Sequence, residues 1–164
     1  MDQSTSAKAS DRVPGADASR EEVRAWNAAI LEEYRTGGGR VGGVLTGMDL
    51  LLLTTSGARS GEPRTTPITC FRDGDRYLVV ASNYGKPRHP DWYHNAVATP
   101  EVAVEVGGER FAARATVLDG AERDRAFDAV VARYPFYARY QAGVTRTIPV
   151  IALTRLSPDP SDAG

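Results

Sequence analysis

Residues 64–82, with the sequence RTTPITCFRDGDRYLVVAS, contain the clearest fold signal in the chain. It contains two runs rich in β-branched and aromatic residues, 64–72 and 76–82, which flank Asp73-Gly74-Asp75. Aspartate and glycine between two such runs are typical of a tight hairpin turn, because glycine adopts positive φ angles without a steric penalty. The stretch therefore predicts two antiparallel strands joined by a short turn.

The same pattern recurs on both sides of this hairpin. A second pair of runs, 102–106 and 110–118, flanks Gly107-Gly108, and compact apolar runs of strand length lie at 49–55 and 148–153. Six strands joined largely by hairpins favour an antiparallel sheet closed into a barrel over a parallel α/β sheet. The predicted fold class is therefore mainly β (α+β), with a six-stranded antiparallel barrel.

Three helices are predicted beside the strands. Ser19 and Glu22 have the spacing of a capping box, in which each side chain satisfies a free backbone N–H at the start of a helix. Apolar side chains then recur at helical spacing at Val23, Trp26, Ile30 and Tyr34. This pattern predicts an N-terminal helix over 20–36 that ends at three consecutive glycines. Two further helices are predicted, one between Pro90 and Pro100 and one over 121–134.

The chain is long enough for one domain and too short for two, since it has 164 residues. Residues 1–18 carry almost no large apolar side chains and are predicted to form a disordered tail. The domain then covers 19–156, and residues 157–164 are predicted to form a frayed C-terminal tail because they contain two prolines and few apolar groups.

The composition of the chain argues against some classes of binding partner and some cellular locations. The formal net charge of −1 argues against a dedicated nucleic-acid binder, which needs a strong basic excess. No apolar run is long enough to span a bilayer, the N-terminus lacks a secretory signal, and Cys70 has no second cysteine to pair with. We therefore expect a cytoplasmic protein, with peripheral membrane contact left open, and either a monomer or a homodimer.

Several short motifs lack the neighbouring elements or partner residues that their usual function needs. The spacing of Gly37, Gly39 and Gly42 matches a dinucleotide-binding fingerprint, but it follows a helix and precedes a strand, which is the wrong order. His89 and His94 lack the spacing and the partners of a metal site, so no metal is expected. A Ser–His–Asp hydrolase is equally unsupported, because no G-x-S-x-G sequence is present.

Two loops carry an unusual share of positive charge. The first contains Arg59 and Arg64 around a Gly- and Pro-rich turn, and the second is 83–90. From 56 to 90 there are six basic residues against three acidic ones, in a chain that is slightly acidic overall. An anionic ligand explains this local excess economically, because guanidinium groups and turn N–H groups bind phosphate and carboxylate. Solvated surface charge is the alternative.

Tyrosines recur at a spacing of three near the C-terminus, at Tyr134, Tyr137 and Tyr140. On a helical or turn-rich segment they share one face, and their hydroxyl groups need partners if they are buried. The segment is interpreted either as an amphipathic lid over the mouth of the barrel or as an aromatic wall for a flat ligand, with a possible proton donor.

A set of short segments, taken in order, resembles the deazaflavin-dependent nitroreductase family over roughly Val44–Leu153. They are LLLTTSG at 51–57, RSG at 59–61, PR at 63–64, VASN at 80–83, HPDWYHN at 89–95, YP at 134–135 and IP at 148–149. The resemblance implies a split β-barrel and the cofactor coenzyme F-420. It also implies an enzyme that transfers a hydride from the reduced deazaflavin to a quinone, a nitroaromatic or an activated alkene such as an enone.

The resemblance also implies roles for individual residues. Arg59 and Arg64 would hold the phosphate and the acidic tail of the cofactor, with Ser60 nearby. The other cofactor-binding positions would be Pro67, Ala81 and Ser82 beside the ring, Asn83 in the same loop, and Lys86, His89 and Trp92 along the groove. The acceptor would meet Trp26, Tyr134, Tyr137 and Tyr140. The candidate catalytic groups are Tyr134, Tyr137 and Ser82.

Two departures from the family pattern affect specificity. Some relatives carry two adjacent basic residues where this chain has Ala58-Arg59, which implies fewer contacts to the acidic tail. Some carry a lysine where Asn83 stands. Two alternative functions stay open: an FMN-dependent split-barrel oxidoreductase, and a non-catalytic protein that binds F-420 or a similar flat ligand. In each case the partner is a small molecule.

Overall fold

The computed structural model describes residues 12–156. The first eleven residues of the predicted N-terminal tail and the predicted C-terminal tail, 157–164, lie outside the described residues. Residues 12–18, which also belong to the predicted tail, form bends and turns and contact the domain through hydrogen bonds to their backbone carbonyls.

Six antiparallel strands close into a barrel in the order β1-β2-β3-β6-β5-β4, which confirms the predicted fold class. The strands are β1 (Leu50–Ser56), β2 (Pro63–Asp73), β3 (Arg76–Val80), β4 (Glu101–Val106), β5 (Glu109–Val117) and β6 (Val150–Arg155). Pairing of β1 with β4 completes the closure. Because β3 stops at Val80 while its neighbour β2 extends well beyond that level, the sheet is open at this end of the barrel.

Both predicted hairpins are present. Asp73 pairs with Arg76 across Gly74, whose φ is 62°, and Val106 pairs with Glu109 across Gly107-Gly108. The positive φ angles of these glycines give the turns a twist that matches the flanking strands. The turn residues therefore set the register of four of the six strands.

Four helices pack against the barrel: α1 (Arg20–Thr36), α2 (Asp91–Ala98), α3 (Gly120–Arg133) and α4 (Phe136–Ala142). The capping box of Ser19 and Glu22 and the stop at Gly37 are confirmed. The prediction of only two helices after the first was incomplete, because the tyrosine segment forms a separate helix, α4. Pro135 separates α3 from α4, since it has no N–H to donate and forces the preceding Tyr134 out of the helical region (φ −131°).

Side chains alternate between the two faces of each strand and so divide the core into parts. Inward-facing residues such as Ile68 and Cys70 of β2 fill the barrel, whereas Phe71 packs outside against α3 and α4. Helix α1 covers the outer face of β1 through Ile30 and Tyr34. The outer face of β2 consequently lies between α1 on one side and α4 on the other. None of the helices within 12–156 has the length and the apolar composition needed to cross a bilayer.

Candidate functional site

The turn between β1 and β2 is closed by its own backbone. The N–H of Gly57 donates to the carbonyl of Glu62 at 2.7 Å, and the N–H of Gly61 donates to the carbonyl of Gly57 at 2.8 Å. The N–H of Ala58 donates to Oδ1 of Asn95 on α2 at 3.0 Å. These bonds fix the turn against α2 without using any of its charged side chains.

Gly57 leaves a small cradle above this turn. A Cβ placed on Gly57 would lie 2.8 Å from Oγ of Ser60 and 3.8 Å from Nε of Arg64, so any other residue would intrude on the serine. Arg59 and Arg64 are exposed, and neither guanidinium forms a hydrogen bond or an ion pair with another residue in 12–156. Two unpaired guanidinium groups beside a hydroxyl group suit a phosphate or a carboxylate.

The loop that follows β3, residues 81–90, has a strained backbone. Asn83 and Tyr84 both have positive φ angles, 50° and 58°, and Gly85 follows at 81°. For residues other than glycine this conformation costs on the order of 1–3 kcal/mol each and persists only where surrounding contacts enforce it. Asn83 contributes one such contact, because its Nδ2 donates to the carbonyl of Arg88 at 3.0 Å.

Arg146, which lies between α4 and β6, makes more hydrogen bonds to this loop than Asn83 does. Its guanidinium donates to the carbonyls of Ser82 at 2.9 Å, Ala81 at 3.2 Å and Lys86 at 3.1 Å, and it contacts Nδ1 of His89 at 3.0 Å. Arg146 was not among the predicted site residues, because it stands in a polar connection between the tyrosine segment and Ile148-Pro149. Only the pairing of β3 with β6 brings it to the loop.

Burial shapes the electrostatics of this contact. A guanidinium only donates, so Nδ1 of His89 must be the acceptor and the ring is neutral in this arrangement. Desolvation lowers the pKa of His89, and the nearby charges of Arg146 and His94 lower it further. Desolvation also lowers the pKa of Arg146, which stays a cation at any physiological pH.

Lys86 points to the N-terminal segment and not to an open groove. Its side chain is buried, and Nζ donates to the carbonyl of Ala16 at 2.8 Å and to the carbonyl of Ala18. Residues 12–18 therefore lie across the side of the loop on which Lys86 was predicted to meet a cofactor.

The structure brings the three tyrosines of the C-terminal segment together, but it buries two of them. Tyr134 accepts a hydrogen bond from the N–H of Asp49 at 3.1 Å, and Tyr137 lies opposite Thr69 of β2. Burial raises the pKa of Tyr137, so its hydroxyl group keeps its proton at neutral pH. Tyr140 is half-buried and packs against Gly85, where a Cβ would come within 3.1 Å of its ring.

Tyr84 was not among the predicted site residues, although it joins the loop to α1. Its ring lies 5.9 Å from the ring of Trp26 in an edge-on contact, and its hydroxyl group lies 3.4 Å from Oδ1 of Asn27. Burial raises its pKa. Tyr84 and Trp26 thus close the space between α1 and the loop.

The remaining predicted residues divide into two groups. The side chains of Ala81 and Trp92 belong to the core inside the barrel, so they can support a ligand on the outer face only from behind. Pro67 is buried on the outer face of β2. Ser82 is nearly buried, yet its hydroxyl group has no hydrogen-bond partner within 12–156, which leaves it available to a ligand.

The predicted cluster of six basic residues is not one site. Arg72 and Arg76 lie at the opposite end of β2, where Arg76 pairs with Asp73 at 3.0 Å and with Glu122 at 3.6 Å. Arg72 donates to the carbonyl of Gly74 and to the hydroxyl group of Tyr77. The count along the chain overlooked these local partners. In the described part of the chain, no group of three His, Cys, Asp or Glu side chains could hold a metal ion.

The arrangement links the cradle to the tyrosines through one strand. Arg64 stands at the start of β2 and Thr69, opposite Tyr137, five residues later, a separation of roughly 16 Å along an extended strand. A molecule with an anionic end and a flat ring fits this layout, with the anion at Gly57 and the ring on the outer face of β2.

Residues 26–155 match the F-420H(2)-dependent quinone reductase family. An F-420H(2)-dependent quinone reductase of Mycobacterium tuberculosis (strain H37Rv) is 44% identical over 126 residues, which cover 74% of this chain and 85% of the relative. The chain therefore belongs to this family. It is an oxidoreductase, and its cofactor is coenzyme F-420.

Solved structures agree with this assignment. An F-420-H2 dependent reductase is 39% identical, with a TM-score of 0.60, and the match covers 64% of this chain and 93% of that one. A second structure, described as a domain-swapped dimer, is 36% identical with a TM-score of 0.62 and covers 81% of this chain and 97% of its own. The first match confirms the predicted family resemblance and the split barrel, and the second shares the fold.

Proposed function

We propose that the protein transfers a hydride from reduced coenzyme F-420 to a quinone, which takes up a proton and leaves as the hydroquinone. The observation that carries the proposal is the pair of guanidinium groups of Arg59 and Arg64 at the Gly57 cradle, which have no partner within 12–156. A cofactor with a phosphate and an acidic tail would be bound by such a pair. The mycobacterial relative is named as a quinone reductase, which supports the acceptor class.

The residues of this chain would bind and orient, because the bound cofactor supplies the hydride chemistry. Arg59, Ser60 and Arg64 would hold the phosphate and the tail. Pro67 on the outer face of β2 would support the ring, and the backbone at Ala81 and Ser82 would border it. Asn83 and His89 are further proposed cofactor contacts, whereas Lys86 would act by holding residues 12–18 against the loop and Trp92 by supporting the site from the core.

The proton would come from a hydroxyl group near the acceptor. Ser82 is one candidate, because its hydroxyl group has no partner within 12–156. Tyr137 is another, because burial keeps it protonated. Tyr134 is the third, since its hydroxyl oxygen accepts from the N–H of Asp49 and its O–H can donate to another group. Trp26 and Tyr140, together with Tyr134 and Tyr137, would form the wall that meets the acceptor.

The first test is a fluorescence titration of the purified protein with F-420 beside FMN. We expect F-420 to bind at micromolar concentration or tighter and FMN to bind far more weakly. Arg72→Ala is the matched control for the cradle arginines, because Arg72 lies at the other end of β2 and is also exposed. Tight FMN binding without F-420 binding would refute the proposal.

Turnover distinguishes an enzyme from a binding protein. Oxidation of reduced F-420 is followed anaerobically with a quinone, a nitroaromatic and an enone as acceptors. We expect the quinone to be reduced fastest and propose the other two as slower acceptors. Cofactor binding with no turnover on any of the three would favour a non-catalytic F-420-binding protein.

Assembly and membrane contact are also proposals. A homodimer is supported by the relative described as a domain-swapped dimer, and light scattering after size-exclusion chromatography tests it. Peripheral membrane contact would suit a quinone acceptor, because lipid-soluble quinones partition into bilayers. Co-sedimentation with lipid vesicles tests that contact.

A further inference from the structure

We infer that Arg146 is a positioning residue for the cofactor loop, defined here as residues 81–86. The inference rests on the proposed function, because this loop carries Ser82 and Asn83. Arg146 touches neither of their side chains. It donates instead to the carbonyls of Ala81, Ser82 and Lys86, at 3.2, 2.9 and 3.1 Å.

These carbonyls lie where the barrel no longer pairs. Strand β3 ends at Val80, and within 12–156 one strand-like bond continues beyond it, from the N–H of Ala81 to the carbonyl of Pro149. A buried carbonyl without a partner is costly, so the guanidinium replaces the missing strand on this side of the loop. One rigid, planar group thereby fixes both ends of a segment that contains two non-glycine residues with positive φ.

Arg146 is itself held in place. Its backbone carbonyl accepts a hydrogen bond from Nε2 of Gln141 on α4 at 2.8 Å, and Oε1 of the same glutamine accepts from the N–H of Ile148 at 2.9 Å. The geometry of the cofactor loop is therefore tied to α4, which carries Tyr137 and Tyr140. The two sides of the proposed acceptor space are thus connected through one arginine.

His89 makes this contact sensitive to pH. Its Nδ1 can accept from Arg146 at 3.0 Å only while it is unprotonated. Three groups face the ring: Arg146 from the connection before β6, and Tyr93 and His94 from α2. None of them is an acid that would stabilise the imidazolium ion. Protonation would place a cation and a new donor against the guanidinium, so it should release Arg146 from His89 and loosen the loop.

Arg146→Ala and Arg146→Lys test the positioning role. We expect Arg146→Ala to weaken F-420 binding at least 10-fold and Arg146→Lys to recover part of that loss, because an ammonium group reaches fewer of the carbonyls. Arg76→Ala is the matched control, since Arg76 is a part-buried arginine whose ion pairs with Asp73 and Glu122 lie far from the loop. Wild-type affinity in both Arg146 variants would overturn the inference.

Hydrogen exchange separates this inference from the proposed function. Amide exchange in residues 82–86 of the free protein should be at least 10-fold faster in Arg146→Lys than in Arg76→Ala. This readout needs no cofactor, so it holds even if the wild-type protein fails to bind F-420 and the proposed function falls. Unchanged exchange in the loop of Arg146→Lys would refute the positioning role.

His89→Asn tests the pH dependence. The amide oxygen of asparagine can replace Nδ1 as an acceptor but cannot titrate. Desolvation lowers the pKa of His89, so exchange in the wild-type loop should accelerate only below the usual histidine range, at pH values under about 6.5. Relative to Arg76→Ala at each pH, the His89→Asn loop should show no such acceleration. An equal acceleration in His89→Asn would show that another group is responsible.

Discussion

The turn 57–62 and the loop 81–90 border the same site but are built in opposite ways. The turn is closed largely by its own backbone and leaves Arg59 and Arg64 without a partner in 12–156. The loop cannot satisfy its backbone, so a half-buried arginine from elsewhere in the chain does so. Exposed donors are suited to recognising a charged ligand, whereas buried donors are suited to holding a shape. Arginines around one site can therefore have unrelated roles, one in binding the ligand and the other in holding the backbone.

Removing the exposed arginines of the turn should weaken cofactor binding more than any other change. Replacing both cradle arginines, in Arg59→Ala/Arg64→Ala, should weaken F-420 binding about 100-fold or more, because each charge-assisted hydrogen bond contributes about 1.5–3 kcal/mol. The fold should not change, since neither side chain has a partner within 12–156. Fluorescence titration and thermal unfolding measure the two effects.

A truncated ligand supplies the control for this variant. A deazaflavin that lacks the phosphate and the acidic tail should bind the double variant and the wild-type protein equally. Arg72→Ala should bind intact F-420 like the wild-type protein. If the double variant lost affinity for the truncated ligand as well, the arginines would be acting on the fold or the ring and not on the anionic end.

Alanine substitutions at one glycine of the turn and one of the loop compare how tightly the two backbones are packed. Gly61 and Gly85 have similar positive φ angles, 72° and 81°, but nothing lies within 4 Å of a Cβ on Gly61, whereas a Cβ on Gly85 would come within 3.1 Å of Tyr140. Gly61→Ala should therefore cost about 1 kcal/mol of unfolding free energy, from the backbone alone. Gly85→Ala should cost about 2 kcal/mol, because crowding is added.

Urea denaturation of the two alanine variants measures this difference. Gly85→Ala should also displace Tyr140 and slow turnover, while Gly61→Ala should leave turnover nearly unchanged. Equal losses of stability would mean that Tyr140 moves aside freely, and the loop would then be less tightly held than its contacts indicate.

Local sequence signals predicted the fold and half of the site. The Asp-Gly-Asp and Gly-Gly turns set the hairpins, and the capping box set the start of α1, because each depends on residues close in sequence. The cradle was also predictable, since Arg59, Ser60 and Arg64 lie within one turn. Local rules are sufficient wherever a structure is closed by its own neighbours.

The other half depends on contacts between distant residues. Arg146 lies more than 55 positions from the loop it holds, and no local pattern identifies it. Ala81 and Trp92 were predicted beside the ligand, yet their side chains face the interior of the barrel. Arg76 was counted within the basic excess, yet it pairs with Asp73 at the hairpin and with Glu122 of α3. In each case the closed barrel decides which side chains meet.

The smallest expected effect is a salt dependence that only the turn should produce. Raising the ionic strength from about 0.1 M to about 1 M shortens the Debye length from about 10 Å to about 3 Å, which screens exposed charges far more than buried ones. F-420 binding to the wild-type protein should weaken by about 3- to 10-fold over this range. Arg59→Ala/Arg64→Ala should lose most of this dependence, whereas Arg146→Lys should keep it, because the side chain of residue 146 acts on buried carbonyls. The opposite result would be a salt dependence that disappears in Arg146→Lys but persists in Arg59→Ala/Arg64→Ala. It would show that the loop, and not the turn, binds the anionic end of the cofactor.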